Sequence, residues 1–155
     1  MLRKGPEQVP GSWLVLLLAV GFMVLAVFCR KVLVPSAGEQ DYFVIYATIS
    51  VGLLIYTGVL LVTGHGRRLL PVLSAIIGCG SILTLLIVVE YVLLQPFLGV
   101  RIASILATLI IFWSVAVDGH IIARGIQQHW FAGIAIAMVV FIMQVAFQQM
   151  LSAET

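Results

Sequence analysis

The chain has 155 residues, of which 63% are hydrophobic and 9% charged, with a formal net charge of +2 and a mean hydropathy of +1.22. Eight basic and six acidic side chains cannot cover the surface that a compact water-soluble protein of this size presents, so a soluble enzyme or soluble binding domain is excluded and lipid is the implied solvent. The small net charge, spread over isolated basic pairs, also excludes a nucleic-acid surface.

Crossing about 30 Å of hydrocarbon takes roughly 20 apolar residues in a helix, because every backbone donor and acceptor must be satisfied within the segment. Five stretches meet that requirement. The first covers about residues 13–29 and is stopped by Arg30 and Lys31. Arg3 and Lys4 precede it as they would a secretory signal, but bulky Val27 and Phe28 stand before Cys29 where cleavage needs small residues, so an uncleaved helix is expected. The second covers about 42–63 and runs into Gly64-His65-Gly66-Arg67-Arg68. The third covers about 69–94, the fourth about 97–117 and the fifth about 130–150, with Gln95-Pro96 forcing a turn between the third and fourth. Trp13 and Trp130 begin spans, at the interfacial depth that amphipathic aromatic rings favour. The expected fold is all-α, a single transmembrane domain over residues 1–155, with short connections that pair sequence neighbours as antiparallel hairpins.

With five spans, Arg3, Lys4, Arg67, Arg68 and Arg124 share one side and Arg30, Lys31 and Arg101 share the other. The side richer in Lys and Arg stays in the cytoplasm, which predicts a cytoplasmic N-terminus and an exported C-terminus. Cys29 and Cys79 belong to no ligand-spaced pair and lie at different depths, so two free thiols are expected.

Polar groups at membrane depth are the candidates for function. Glu90 near the end of the third span and Arg101 near the start of the fourth come to similar depth if the two helices run antiparallel, predicting an ion pair that staples the hairpin; the alternative is that Glu90 carries protons. Asp118, His120, Arg124 and His129 cluster around the fourth loop. If the fourth helix continues there, His120 and Arg124 share a face four residues apart while Asp118 points elsewhere. Metal binding would need three or four converging ligands, with His65 as a candidate from the second loop, and the simpler reading is a solvated helix end with basic residues at its C-terminal dipole. Gln144 and Gln148 share a face of the last helix, where amides seek interhelical partners, and Gln149 adjoins them. Small residues recur at four-residue spacing in Ser74/Gly78, Gly80/Thr84, Ala103/Ala107 and Gly133/Ala137, marking faces where backbones can approach closely. The third span is richest in them and is expected at the centre of the bundle.

There is no nucleophile elbow, no phosphate-cradling loop, no HExxH and no pair of carboxylates within one span, so neither catalysis nor a cofactor or metal is expected. The stretch Phe112-Trp113-Ser114-Val115-Ala116-Val117-Asp118-Gly119-His120-Ile121-Ile122-Ala123-Arg124, with Arg67-Arg68 leading into Leu73-Ser74-Ala75, resembles small inner-membrane proteins of Gram-negative bacteria, and the plan is similar to that of five-span Yip-like membrane proteins. The resemblance implies a five-helix bundle in the inner membrane with no assigned catalytic residues. The sequence lacks the long cytoplasmic N-terminal region of eukaryotic Yip-like proteins, which counts against expecting a trafficking role. Two functions follow as expectations. One is a non-catalytic structural or accessory subunit, surrounded by membrane lipids and packed against a membrane-protein partner or another copy of itself. The other is a small oligomeric transporter or channel that uses Glu90 or Asp118.

Overall fold

A computed structural model describes residues 12–34 and 42–154. Arg3 and Lys4, which enter the charge tally, lie outside the described residues. All regular structure among the described residues is helical: α1 (Trp13–Leu33), α2 (Tyr42–Val62), a 3-10 turn (Gly66–Arg68), α3 (Leu69–Val89), a π-helical turn (Glu90–Leu94), α4 (Gln95–Gly125) and α5 (Trp130–Glu154). Each of the first three α-helices has 21 residues, about 31 Å of axis, enough to cross the hydrocarbon core.

Four helical segments, rather than the expected five, are continuous, long and apolar enough to cross a membrane: Trp13–Leu33, Tyr42–Val62, Gly66–Gly125 and Trp130–Leu151. The third is 60 residues long because the helix does not stop at Gln95-Pro96. Pro96 has no N–H for the Val92 carbonyl and its ring crowds that group. The turn before it widens instead, so that the Gln95 N–H donates to the Glu90 carbonyl five residues back. The break comes at Gly99, with φ 78° and ψ 159°, a conformation that side chains with a Cβ rarely adopt. There the chain doubles back: Gly125, at the far end of α4, lies so close to Val72, at the start of α3, that a Cβ on Gly125 would be 2.9 Å from Val72 Cγ2.

Other boundaries also move. Helix α1 passes through Arg30 and Lys31 to Leu33, α4 runs to Gly125 instead of ending at Val117, and α5 reaches Glu154. Long basic side chains lie along apolar surface with their charges at the rim, and Lys31 Nζ sits 3.7 Å from the centre of the Tyr42 ring. Helix α2 ends on Gly64, φ 78°, where the His65 N–H donates to the Leu60 carbonyl and the Gly64 N–H to the Leu61 carbonyl, satisfying the last orphan acceptors in a Schellman arrangement. Helix α4 ends the same way on Gln127, φ 56°, with Gln128 N–H donating to Ala123 and Gln127 N–H to Arg124.

The packing is not that of sequence neighbours throughout. The largest interfaces join α1 to α3 and α4 to α5, followed by α2 with α5 and α3 with α4. Val34 packs with Val88 at one end while Ala26 and Val27 share a cavity with Gly80 further in, so α1 and α3 run parallel. Helix α3 touches α1, α2 and α4 and occupies the centre. The crossing of α4 and α5 is the closest: a Cβ on Gly119 would meet Ile134 Cα at 2.8 Å, and one on Gly133 would meet the Gly119 carbonyl oxygen and Ala123. Gly119 and Ala123 on α4 thus oppose Gly133 on α5, and small residues recur at four-residue spacing on both helices, Gly119/Ala123 and Gly133/Ala137. Tyr56, Leu60, Val72, Ile76, Ile122 and Val140 form the core between α2, α3, α4 and α5. Outward faces carry large apolar side chains such as Leu17, Leu54, Leu109, Trp113 and Ile142, all more than half exposed, whereas the buried residues include Ser74, Ser81 and Glu90. That distribution suits lipid and not water.

Candidate functional site: polar groups inside the bundle

The extra length of α4 changes the meaning of the sequence around residue 118. Asp118 is in a helix and not in a loop, and it faces inward, whereas His120 and Arg124 on the other side of the helix are exposed. Carried along the α3–α4 hairpin, the pairing of Val72 with Gly125 sets Asp118 level with Cys79, halfway along α3. It lines a cavity of about 160 Å³ bounded by all five helices. Met23, Ala26 and Val27 come from α1, Gly52 and Tyr56 from α2, Gly80, Ser81 and Thr84 from α3, and Gln144 from α5.

Most polar groups in this cavity are already engaged. Ser81 Oγ donates to the Ile77 carbonyl at 2.6 Å and Thr84 Oγ1 to the Gly80 carbonyl at 2.9 Å, each bonding back into its own helix. Gln144 Nε2 reaches across to donate to the Thr48 carbonyl at 3.1 Å. The approach is possible because Gly52 has no Cβ, which would collide with the Gln144 amide. Asp118 and the Tyr56 hydroxyl are the exceptions: neither has a hydrogen bond among the described residues, Asp118 has no ion pair, and its electrostatic neighbours are Tyr56 and Cys79. Gln148, one turn beyond Gln144, is half-buried and also has an interaction partner.

Glu90 occupies a second site. It is 4% exposed, its Oε1 has no hydrogen-bond partner, and it opens onto a groove of about 390 Å³ between α3 and α4 lined by Leu86, Val89, Leu106, Leu109 and Trp113. The expected ion pair with Arg101 does not form, since Arg101 is exposed and Glu90 faces Leu106 and Ile110. The cause is the position of the reversal. With Gly99 and not Pro96 as the turn, the hairpin register sets Glu90 near Ala107, six residues and ~9 Å of helix axis deeper than Arg101.

At the opposite end of the hairpin, basic residues close the bundle. Arg68 Nη1 donates to the Arg124 carbonyl at 3.4 Å and, with the Gln127 amide oriented to accept, its two terminal nitrogens reach that oxygen at 3.1 and 2.6 Å. A guanidinium on the terminal carbonyls of α4 also complements the helix dipole. His120, Arg124, Gln128 and His129 line a surface notch beside it, and His129 stacks on Phe131 at 5.5 Å. No three His, Cys, Asp or Glu side chains converge among the described residues, and His65 is not drawn toward His120 into a ligand set. Cys29 and Cys79 are free thiols.

Sequence reasoning singled out Asp118, Glu90 and Gln144 but missed Tyr56, Gly52 and Thr48, which complete the polar interior. A tyrosine in the middle of an apolar span was the available signal for the first. No protein-family model, no curated protein and no solved structure matches the chain.

Proposed function

We propose that the chain is a non-catalytic accessory subunit of the bacterial inner membrane, with five crossings and a cytoplasmic N-terminus, that packs its α3–α4 groove against a helix of a membrane-protein partner. Five crossings rest on the reversal at Gly99, which divides the 60-residue segment into two lengths that each suit the hydrocarbon core. The observation that carries the partner is Glu90. A carboxylate that is 4% exposed with an orphan oxygen is costly in an apolar medium, and lipid chains filling the groove offer it nothing. A partner helix that brings a Lys, Arg or amide donor to this depth satisfies the carboxylate and covers Leu109 and Trp113 together.

A photo-crosslinker at Leu109, used in cells, is expected to trap one partner carrying such a donor at the cross-linked helix. Glu90→Leu is expected to lose that complex in mild detergent while the isolated protein keeps its unfolding temperature or gains. A complex unaffected by Glu90→Leu refutes the reading. So does recovery of the chain only with copies of itself, which together with ion flux in liposomes would favour the competing small oligomeric transporter or channel.

A further inference from the structure

We infer that the cavity around Asp118 is a binding site for a small organic monocation, a short-chain ammonium compound held by its head group at Asp118 with its carbon body against α1 and α3. The site is complete within one chain and does not depend on the partner proposed for Glu90.

The first step is the missing counter-charge. Asp118 lies at the level of the middle of α3, where an ionised carboxylate needs a compensating group. The basic side chains of the described residues are all elsewhere. Arg30 and Lys31 are at the end of α1, Arg101 is two residues past Gly99, and Arg67, Arg68 and Arg124 are at the other end of the bundle, with Arg68 committed to the end of α4. Tyr56 and Cys79, the titratable neighbours, bring no positive charge. A cation that pairs with ionised Asp118 therefore comes from outside the described residues.

The shape of the cavity selects its class. About 160 Å³ matches the roughly 150 Å³ apolar cavity that takes up benzene, so the occupant is a molecule of about that size. A bare metal ion fits poorly, because binding it needs several converging oxygens and the hydroxyls of Ser81 and Thr84 are turned back onto their own helices. An ammonium head fits better. Asp118 supplies the charge, Tyr56 lines the same cavity as an electrostatic neighbour of Asp118, and the Gln144 amide, with its nitrogen donating to Thr48, keeps its oxygen as an acceptor. Met23, Ala26, Val27 and Ile76 give the carbon body an apolar wall.

The test uses the full-length protein in nanodiscs, with n-butylammonium as probe and 1-butanol as its neutral counterpart of equal size. Butylammonium is expected to raise the unfolding temperature saturably, and butanol and sodium at equal concentration are not. Asp118→Asn is expected to weaken the apparent affinity tenfold or more. Gly80→Leu provides an independent variant, because it keeps Asp118, Gly80 lines the cavity, and a Cβ there meets nothing within 4 Å, so an added side chain takes up cavity volume. Loss of the butylammonium effect in Gly80→Leu supports the site even where Asp118→Asn does not fold. An equal effect of butanol or sodium on the wild type, or an effect undiminished by Gly80→Leu, overturns it.

Discussion

Gly133 faces α4 so closely that an added methyl group has no room: it would meet the Gly119 carbonyl oxygen, Ala123 Cβ at 2.5 Å and Ala123 N at 2.9 Å. Carbon contacts are most favourable at about 3.5–4.0 Å, and two of the three obstacles are backbone atoms that cannot rotate away. Gly133→Ala must therefore push α4 and α5 apart by roughly 1 Å, loosening Ile122 and Ala137, which are 0% and 1% exposed. Overpacking of this kind typically costs about 1–3 kcal/mol. Alanine returns about 1 kcal/mol through helix propensity, so a net loss of up to about 2 kcal/mol is expected. Gly78→Ala is the matched control, because a Cβ there meets nothing within 4 Å; it is expected to be neutral or to stabilise by about 0.4–1 kcal/mol. Thermal unfolding in detergent, followed by far-ultraviolet circular dichroism, compares the two variants with the parent. If Gly133→Ala unfolds above the parent temperature, as Gly78→Ala is expected to, the close approach of α4 and α5 is refuted.

A reporter fused after Thr155 is expected to read as exported, and cytoplasmic activity there would contradict five crossings with a cytoplasmic N-terminus. Glu90→Gln and Arg101→Gln are expected to be additive within about 0.3–0.5 kcal/mol in a double-mutant cycle, since the two side chains do not meet; strong coupling would restore the ion pair. Gln144→Leu removes the bond to the Thr48 carbonyl and is expected to cost about 0.6 kcal/mol, and no more than about 1.7, measured by unfolding in detergent. Gly64→Ala places a Cβ at φ 78° and is expected to lower stability by about 1 kcal/mol in the same assay, with Gly58→Ala, where a Cβ meets open space, as its control.

The helices were legible in the sequence because length and apolarity suffice to identify them; their ends and faces were not. Asp118-Gly119-His120 reads as a loop if charge is taken to end a span. In the structure it is helix, because Asp118 turns into a cavity, Gly119 packs on α5 and only His120 meets the outside. The spacing of Gly119 with Ala123, matching Gly133 with Ala137, was the signal that α4 continues. Pro96 drew the expected turn to itself, yet the π-helical turn before it accommodates the ring and the reversal falls on Gly99, where the backbone demands a glycine. The Glu90–Arg101 pairing failed for the same reason, a displaced turn. Partners such as Thr48 for Gln144 or Tyr56 beside Asp118 lie beyond periodicity altogether. These helices are apolar toward the core and toward lipid alike, so hydrophobic patterning does not distinguish the packed face from the bare one.

The parallel contact of α1 with α3 has a consequence for how the chain is made. Helix α1 leaves the ribosome before α3, and the end of this principal partner follows roughly 55 residues later, several seconds of synthesis at ~5–20 residues per second. During that interval Ala26 and Val27, which the finished bundle buries, are held in the bilayer with no α3 to receive them. The interior is still incomplete when α3 and α4 arrive, because Gln144 comes with α5, which emerges after them. A chain stalled or cut before α5 would therefore leave Asp118 without one wall of its cavity.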